Sequence, residues 1–192
     1  MKMMIAAILA LMFPPLLLRQ TGQPAQDCKA LVMLGESAAI EQVQPHKGEK
    51  YRRPPMVAYE VLQNGDVRKL RLVRHSGIKE LDGNLLLAAS HWKYRARAGC
   101  GTVKVPLAAG PIPNEETALM VTEPELIHTY GASVIASERP LTAGMLRDMW
   151  IVSGTLHCGG GKGGTTTACE GGVATAQLSK SDGRIIQISH TK

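Results

Sequence analysis

Asn64-Gly65 stands between two stretches of alternating apolar and polar residues, and that arrangement leaves the surrounding chain few folds. Val57, Tyr59 and Val61 alternate with Ala58 and Glu60, the period-two pattern of a half-buried strand. Asn-Gly is the strongest short hairpin signal, because both central positions of a type I′ turn need positive φ. Val67 to His75 resumes the alternation, with Leu70 and Leu72 on one face and Lys69 and Arg71 on the other, and Ser76-Gly77 ends it. From Lys79 to Tyr94 the period changes to helical: Leu81, Leu85, Ala88 and Trp92 make one apolar stripe. Gly99 and Gly101 mark a turn, and Thr102 to Leu107 alternates again with Val103, Val105 and Leu107 inward. Strand, hairpin, strand, helix, strand predicts a small α+β unit over residues 56–108.

The flanking segments are less patterned. Residues 26–44 carry partial helical character, with Leu31, Leu34, Ala38 and Ile40 loosely periodic, and Pro45 to Pro55 reads as a linker. Residues 109–140 read as loop-rich because of Pro111, Pro113, Pro124 and Pro140. Thr142 to Met149 suggests a helix with Thr142 near its cap, and Met149 to His157 a strand. Val173 to Leu178 and Arg184 to Ser189 read as two more strands around Ser181-Asp182-Gly183. Residues 113–192 are therefore expected to form a second, smaller, sheet-rich unit.

The N-terminus and the cysteines point outward from the cytoplasm. Lys2 precedes an apolar run, Met3 to Leu18, interrupted by Pro14-Pro15 and closed by Arg19. That run is short for a spanning helix and suits a secretory signal occupying residues 1–25; a retained anchor over residues 3–18 is the alternative. Four cysteines, Cys28, Cys100, Cys158 and Cys169, all follow the run and allow three connectivities in an oxidising compartment. Cys158 and Cys169 flank a Gly- and Thr-rich loop and are the favoured pair, which leaves Cys28–Cys100 by elimination. The expected location is periplasmic, with inner-membrane anchoring as the alternative.

Composition excludes more than it identifies. The 22 Lys and Arg against 16 Asp and Glu give a net charge of +6, a mild excess. Arg68, Lys69, Arg71 and Arg74 lie close together, as do Lys93, Arg95 and Arg97, and two such runs converging would make a patch for acidic partners. Without aromatics interleaved among the charges, nucleic acid is not expected. Gly159-Gly160-Gly161-Lys162 lacks the spacing of a phosphate-binding loop, because Gly163 follows the lysine. His157, Cys158 and Cys169 would not bind zinc with the cysteines oxidised. His75 and Ser76 point to opposite faces of a strand. No enzyme, cofactor or metal site is expected.

The turn, the Ser-Gly strand end and the helix together resemble the C-terminal domain of the TonB family of energy transducers. Asn64-Gly65-Asp66 is similar to that family's turn, Leu81-Asp82 to its helix start, and Leu86, Ala88, Trp92 and Tyr94 to its helix motif. Val103-Lys104-Val105-Pro106 is similar to its last strand. The resemblance covers about residues 56–108 and implies a protein partner, an extended segment of an outer-membrane transporter, added as a strand to a sheet edge. Carried over, the partner-binding edge would be Gly101, Thr102, Val103, Lys104, Val105, Pro106 and Leu107. Two functions are implied: a non-enzymatic periplasmic binding protein, or a membrane-anchored transducer coupled to a proton-driven motor.

Overall fold

The structure, a computed structural model, describes residues 27–35, 43–158 and 171–191. The hairpin forms as β1 (Met56–Val61) and β2 (Val67–Arg74), but its turn is not type I′. Only Gly65 has positive φ (85°), and its N–H donates to Leu62 O at 3.0 Å while Leu62 N–H donates to Asp66 O at 2.9 Å. That is the three-residue loop with a left-handed glycine. Asn64 instead stays at negative φ and accepts from Asp66 N–H through Oδ1 at 3.1 Å. A Cβ at Gly65 would sit 1.9 Å from Tyr94 O. Gly65→Ala is expected to lose at least about 2 kcal/mol, read as a lower urea midpoint with unchanged slope.

Helix α1 (Lys79–Ser90) buries Leu85 and Ala89 on the hairpin and ends earlier than its apolar stripe. Trp92 and Tyr94 lie beyond it because the chain turns there: Lys93 bridges Asp66 and Tyr94 bridges Met33. Strand β3 (Val103–Ala108) then pairs with β1, giving a three-stranded antiparallel sheet of order β2-β1-β3. Val57, Tyr59, Val61, Leu85, Trp92, Tyr94 and Val105 fill the core between α1 and this sheet.

Residues 109–140 are not loop-rich. They hold α2 (Glu115–Tyr130) and α3 (Ala132–Ser137). Asn114 caps α2, its Oδ1 accepting from Thr117 N–H at 2.9 Å, and Pro124 sits inside the helix rather than ending it. The buried face is Ala118, Val121, Thr122 and Leu126, so half of it is small or polar and gives a faint periodic signal. Thr142–Leu146 is likewise not a helix but β4, joined to β5 (Met149–Ser153) by a turn in which Arg147 has φ 56°. Pairing with β5 overrides local propensity there. The expected strand from Met149 stops at Ser153.

Strands β6 (Ala174–Ser179) and β7 (Ile185–His190) complete a second antiparallel sheet of order β4-β5-β6-β7. Its inner face, Trp150, Val152, Ala174, Ala176 and Leu178, packs with α2 and with Met56 of β1. Met56 therefore belongs to the second core, so the two sheets share an apolar contact.

Residues 27–35 form a turn at Cys28-Lys29 and then an extended stretch rather than a helix. Cys28–Cys100 is bonded, with Cα atoms 5.4 Å apart, and fixes one end of the segment. Leu34 N–H donates to Lys93 O (2.7 Å) and Arg95 N–H to Val32 O (2.8 Å), so its backbone pairs outside a helix. Cys158 is disulfide-bonded; its expected partner Cys169, the apolar run of residues 3–18 and the loop from Gly159 lie outside the described residues. Among the described residues no helix is long and apolar enough to cross a membrane. The Cys28–Cys100 bond points to an oxidising compartment.

Candidate functional site

Strand β3 ends one side of the first sheet, so the expected binding residues Val103 to Leu107 occupy an edge, with Gly101 and Thr102 leading into it. Strand geometry says which backbone groups face outward. Leu62 exchanges its N–H and C=O with the β2 side, so by alternation Val61, paired with Val103, turns its own toward β3. Lys104 then directs its N–H and C=O away from β1, and Pro106 has no N–H to direct. At its far end the edge is covered. Ala108 bridges Arg184, Gly110 N–H donates to Asp182 O at 3.0 Å, and Ile112 N–H donates to Lys180 O at 2.8 Å.

The outer face of the same sheet carries the charge. Arg68 and Lys104 lie opposite Glu60 on its two flanks, and Arg71 lies opposite Ala58. Arg68, Lys69, Arg71 and Lys104 are exposed, and Lys69 Nζ reaches Glu60 at 3.2 Å. The remaining basic residues do not join this face. Arg74 is buried in an ion pair with Glu125 of α2 and donates through Nε to Pro54 O at 2.8 Å. Arg97 is buried and donates to Cys28 O and Val61 O, and Lys93 pairs with Asp66. The two basic runs of the sequence thus separate into structural pins and one exposed platform.

Beside the covered end of β3 lies a buried polar junction that sequence reasoning missed. Asp182 is fully buried, and its Oδ2 accepts from Tyr94 OH at 2.6 Å and from Arg184 Nη1 at 2.5 Å. Tyr59 OH lies 2.5 Å from Tyr94 OH and 3.4 Å from Asp182 Oδ2. Arg184 Nη2 donates to Leu31 O at 3.1 Å, which draws the disulfide-tied segment into the cluster. Burial, then the Asp182 charge, pushes both tyrosine hydroxyls well above the usual phenol range, so they remain donors. Gly183, with φ 60°, lets the turn press against Gly110 O, which a Cβ would meet at 2.2 Å. The only hint in the sequence was the Ser181-Asp182-Gly183 turn, which carries no sign that its carboxylate is buried. A cleft of about 800 Å3 opens next to the junction between Leu31–Met33, Pro111–Pro113 and Lys180–Arg184.

A second polar cluster closes the far end of the second sheet. His190 Nε2 lies 2.9 Å from Glu138 Oε1, and Glu138 Oε2 accepts from Ala174 N–H at 2.8 Å. The Glu138 carboxylate, then the Thr191 carbonyl, hold the His190 imidazole above its ordinary value. A raised folded value contributes stability that is complete below about pH 6.5 and is lost as pH rises through the folded value. The stability difference between the native chain and His190→Gln, from urea melts across pH, is expected to shrink over that interval. A constant difference would contradict the pairing.

None of these clusters has the geometry of a metal centre: among the described residues no group of three or more His, Cys, Asp or Glu is placed to hold a metal ion. Comparison with known proteins places the family match elsewhere than the sequence motifs did. Residues 117–192 match the model of a family described as NTF2 fold immunity protein. The chain is also similar to the uncharacterized protein YhhH of Escherichia coli (strain K12), 30% identical over 81 residues. That stretch is 42% of this chain and spans 58% of YhhH. No solved structure matches.

The TonB resemblance of residues 56–108 is corrected by these findings, since the family that matches is the NTF2 fold one and no TonB family does. The physical reason lies in what carried it. Gly65 serves the turn, Asp82 accepts from Ser76 N–H at 2.7 Å, and Trp92 fills the core. Tyr94, standing in the aromatic motif, donates to Asp182 of the second unit. These are requirements of a strand-turn-strand-helix unit in this chain rather than marks of descent.

Proposed function

We propose that this chain is a non-enzymatic, exported binding protein that neutralises a protein partner by occupying it, in the manner of an immunity protein, and that it acts in the periplasm. The observation that carries the reading is the match of residues 117–192 to the NTF2 fold immunity family. The Cys28–Cys100 bond supports an oxidising compartment. The place of capture is the β3 edge, Gly101 to Leu107, where an extended segment of the partner adds a strand through main-chain hydrogen bonds. The junction at Asp182 anchors one end of that edge and holds it in a fixed position, which limits the ordering cost of binding.

The test is physiological. Removing the gene from the cell that makes this chain should lower survival in dense contact with sibling cells, and the full chain supplied in trans should restore it. Unchanged survival of the deletion strain in sibling contact would contradict the reading. Within that assay, Lys104→Pro removes the outward N–H of β3 while leaving its pairing with β1, so protection should fall at least about tenfold. Lys104→Gln, which keeps the N–H and loses only the ammonium group, should protect clearly better than Lys104→Pro.

A further inference from the structure

We propose that the segment added to β3 is acidic, so that the partner presents Asp or Glu on the face of its strand that continues the outer face of the first sheet. This rests on the strand-addition reading above. Across that face Arg68, Glu60 and Lys104 form one row, with Lys104 on the edge strand itself. Strands in a sheet stand about 4.8 Å apart, so a residue opposite Lys104 on an added strand meets its ammonium group directly. Arg68 and Arg71 lie within about 15 Å of that strand, and Lys69 beside them already neutralises Glu60 at 3.2 Å. Four exposed cations therefore surround a single, already engaged carboxylate.

The complementary partner is a protein strand rather than a flat anionic surface. Lys104 and Pro106 are the exposed positions of β3 between Val103 and Leu107 and flank the buried Val105, so the charge is set in register with a strand edge. The opposite edge of the sheet is less suited. β2 carries two register shifts against β1, and Lys93 bridges Asp66 at its start. The positive φ of Lys69 (52°) breaks the regular edge again. An acidic strand would thus be steered by the platform and fixed by β3.

Two short fluorescein-labelled peptides test this on the full chain by fluorescence anisotropy, one alternating Thr and Glu and the other Thr and Lys. At about 0.05 M salt the Glu peptide should bind at least about tenfold tighter, and the preference should shrink at about 0.5 M salt. Arg68→Gln with Arg71→Gln, which puts uncharged side chains at exposed positions opposite Glu60 and Ala58, should leave the thermal melt nearly unchanged and weaken the Glu peptide about three- to tenfold. Equal binding of the two peptides, or no binding of either, overturns the proposal. Loss of binding in Lys104→Pro but not Lys104→Gln, with no preference for Glu, would keep strand addition and remove the acidic partner. A Glu preference that Lys104→Pro leaves untouched would keep the acidic partner and remove strand addition. Phosphatidylserine vesicles that bind as tightly as the Glu peptide and compete with it would overturn the assignment to a protein strand.

Discussion

Asp182→Ala is expected to lower stability by about 3–5 kcal/mol, the range for removing one partner from a buried ion pair. The substitution leaves Arg184, whose side chain is 14% exposed, without its carboxylate, and removes the acceptor of the Tyr94 hydroxyl. Tyr59 then keeps only Tyr94 and Arg184 as partners within the cluster. The loss should exceed that of Tyr94→Phe, expected at about 1–2 kcal/mol, because that change deletes a hydroxyl and leaves the ion pair whole. Urea denaturation at neutral pH checks both values. Asp182→Ala should also release the segment around Leu31, whose carbonyl Arg184 holds. Faster amide exchange there, with β6 still protected, would separate loss of the junction from loss of the second sheet. Equal costs for the two substitutions would mean that the ion pair adds nothing to the hydroxyl network.

The Cys28–Cys100 bond is the second large contributor. Its sequence separation is 72 residues, and closing a loop of that length is worth about 4 kcal/mol in the chain-entropy model. Cys28→Ser with Cys100→Ser is expected to reach most of that value, because the bond also secures the extended segment against Lys93 and Arg95. Arg97, buried between the segment and β1, would keep part of the contact through its bond to Cys28 O. Urea melts of oxidised, reduced and doubly substituted protein measure it. Coincident melts for all three would contradict a structural role for the bridge.

Much of the first unit was legible in the sequence because its signals are local. The hairpin turn, the two alternating strands and the α1 stripe each repeat within a few residues. Antiparallel strands from Ala174 and Ile185 were legible for the same reason. α2 was hidden by Pro124 and by a buried face built partly from Ala118 and Thr122. β4 was misread because its residues have no strong preference, and pairing with β5 decides their structure. The disulfide Cys28–Cys100 emerged by elimination, yet its consequence, a turn and an extended stretch rather than a helix at residues 27–35, did not.

The site divides the same way. The strand pattern of β3 was legible, but its place at an edge was expected only through the TonB resemblance, and the sheet order does put it there. The Asp182 junction was not legible, because Tyr59, Tyr94, Asp182 and Arg184 meet from distant parts of the chain, Tyr59 and Asp182 lying 123 residues apart, and no spacing records it. Nor could charge runs reveal that Arg74 and Arg97 are buried pins while Arg68, Arg71 and Lys104 stay exposed. Family motifs failed here for a related reason. Turn glycines, capping acids and core aromatics are common solutions to common geometry, and they say little about what a protein binds.

Protection of the producing cell through the β3 edge is tested most directly by returning two forms of the chain, at matched abundance, to the deletion strain in sibling contact. Lys104→Gln, which loses the ammonium group alone, should restore most of the survival, and Lys104→Pro, with a cooperative melt like that of the native chain, should not. Full restoration by Lys104→Pro would contradict capture at this edge.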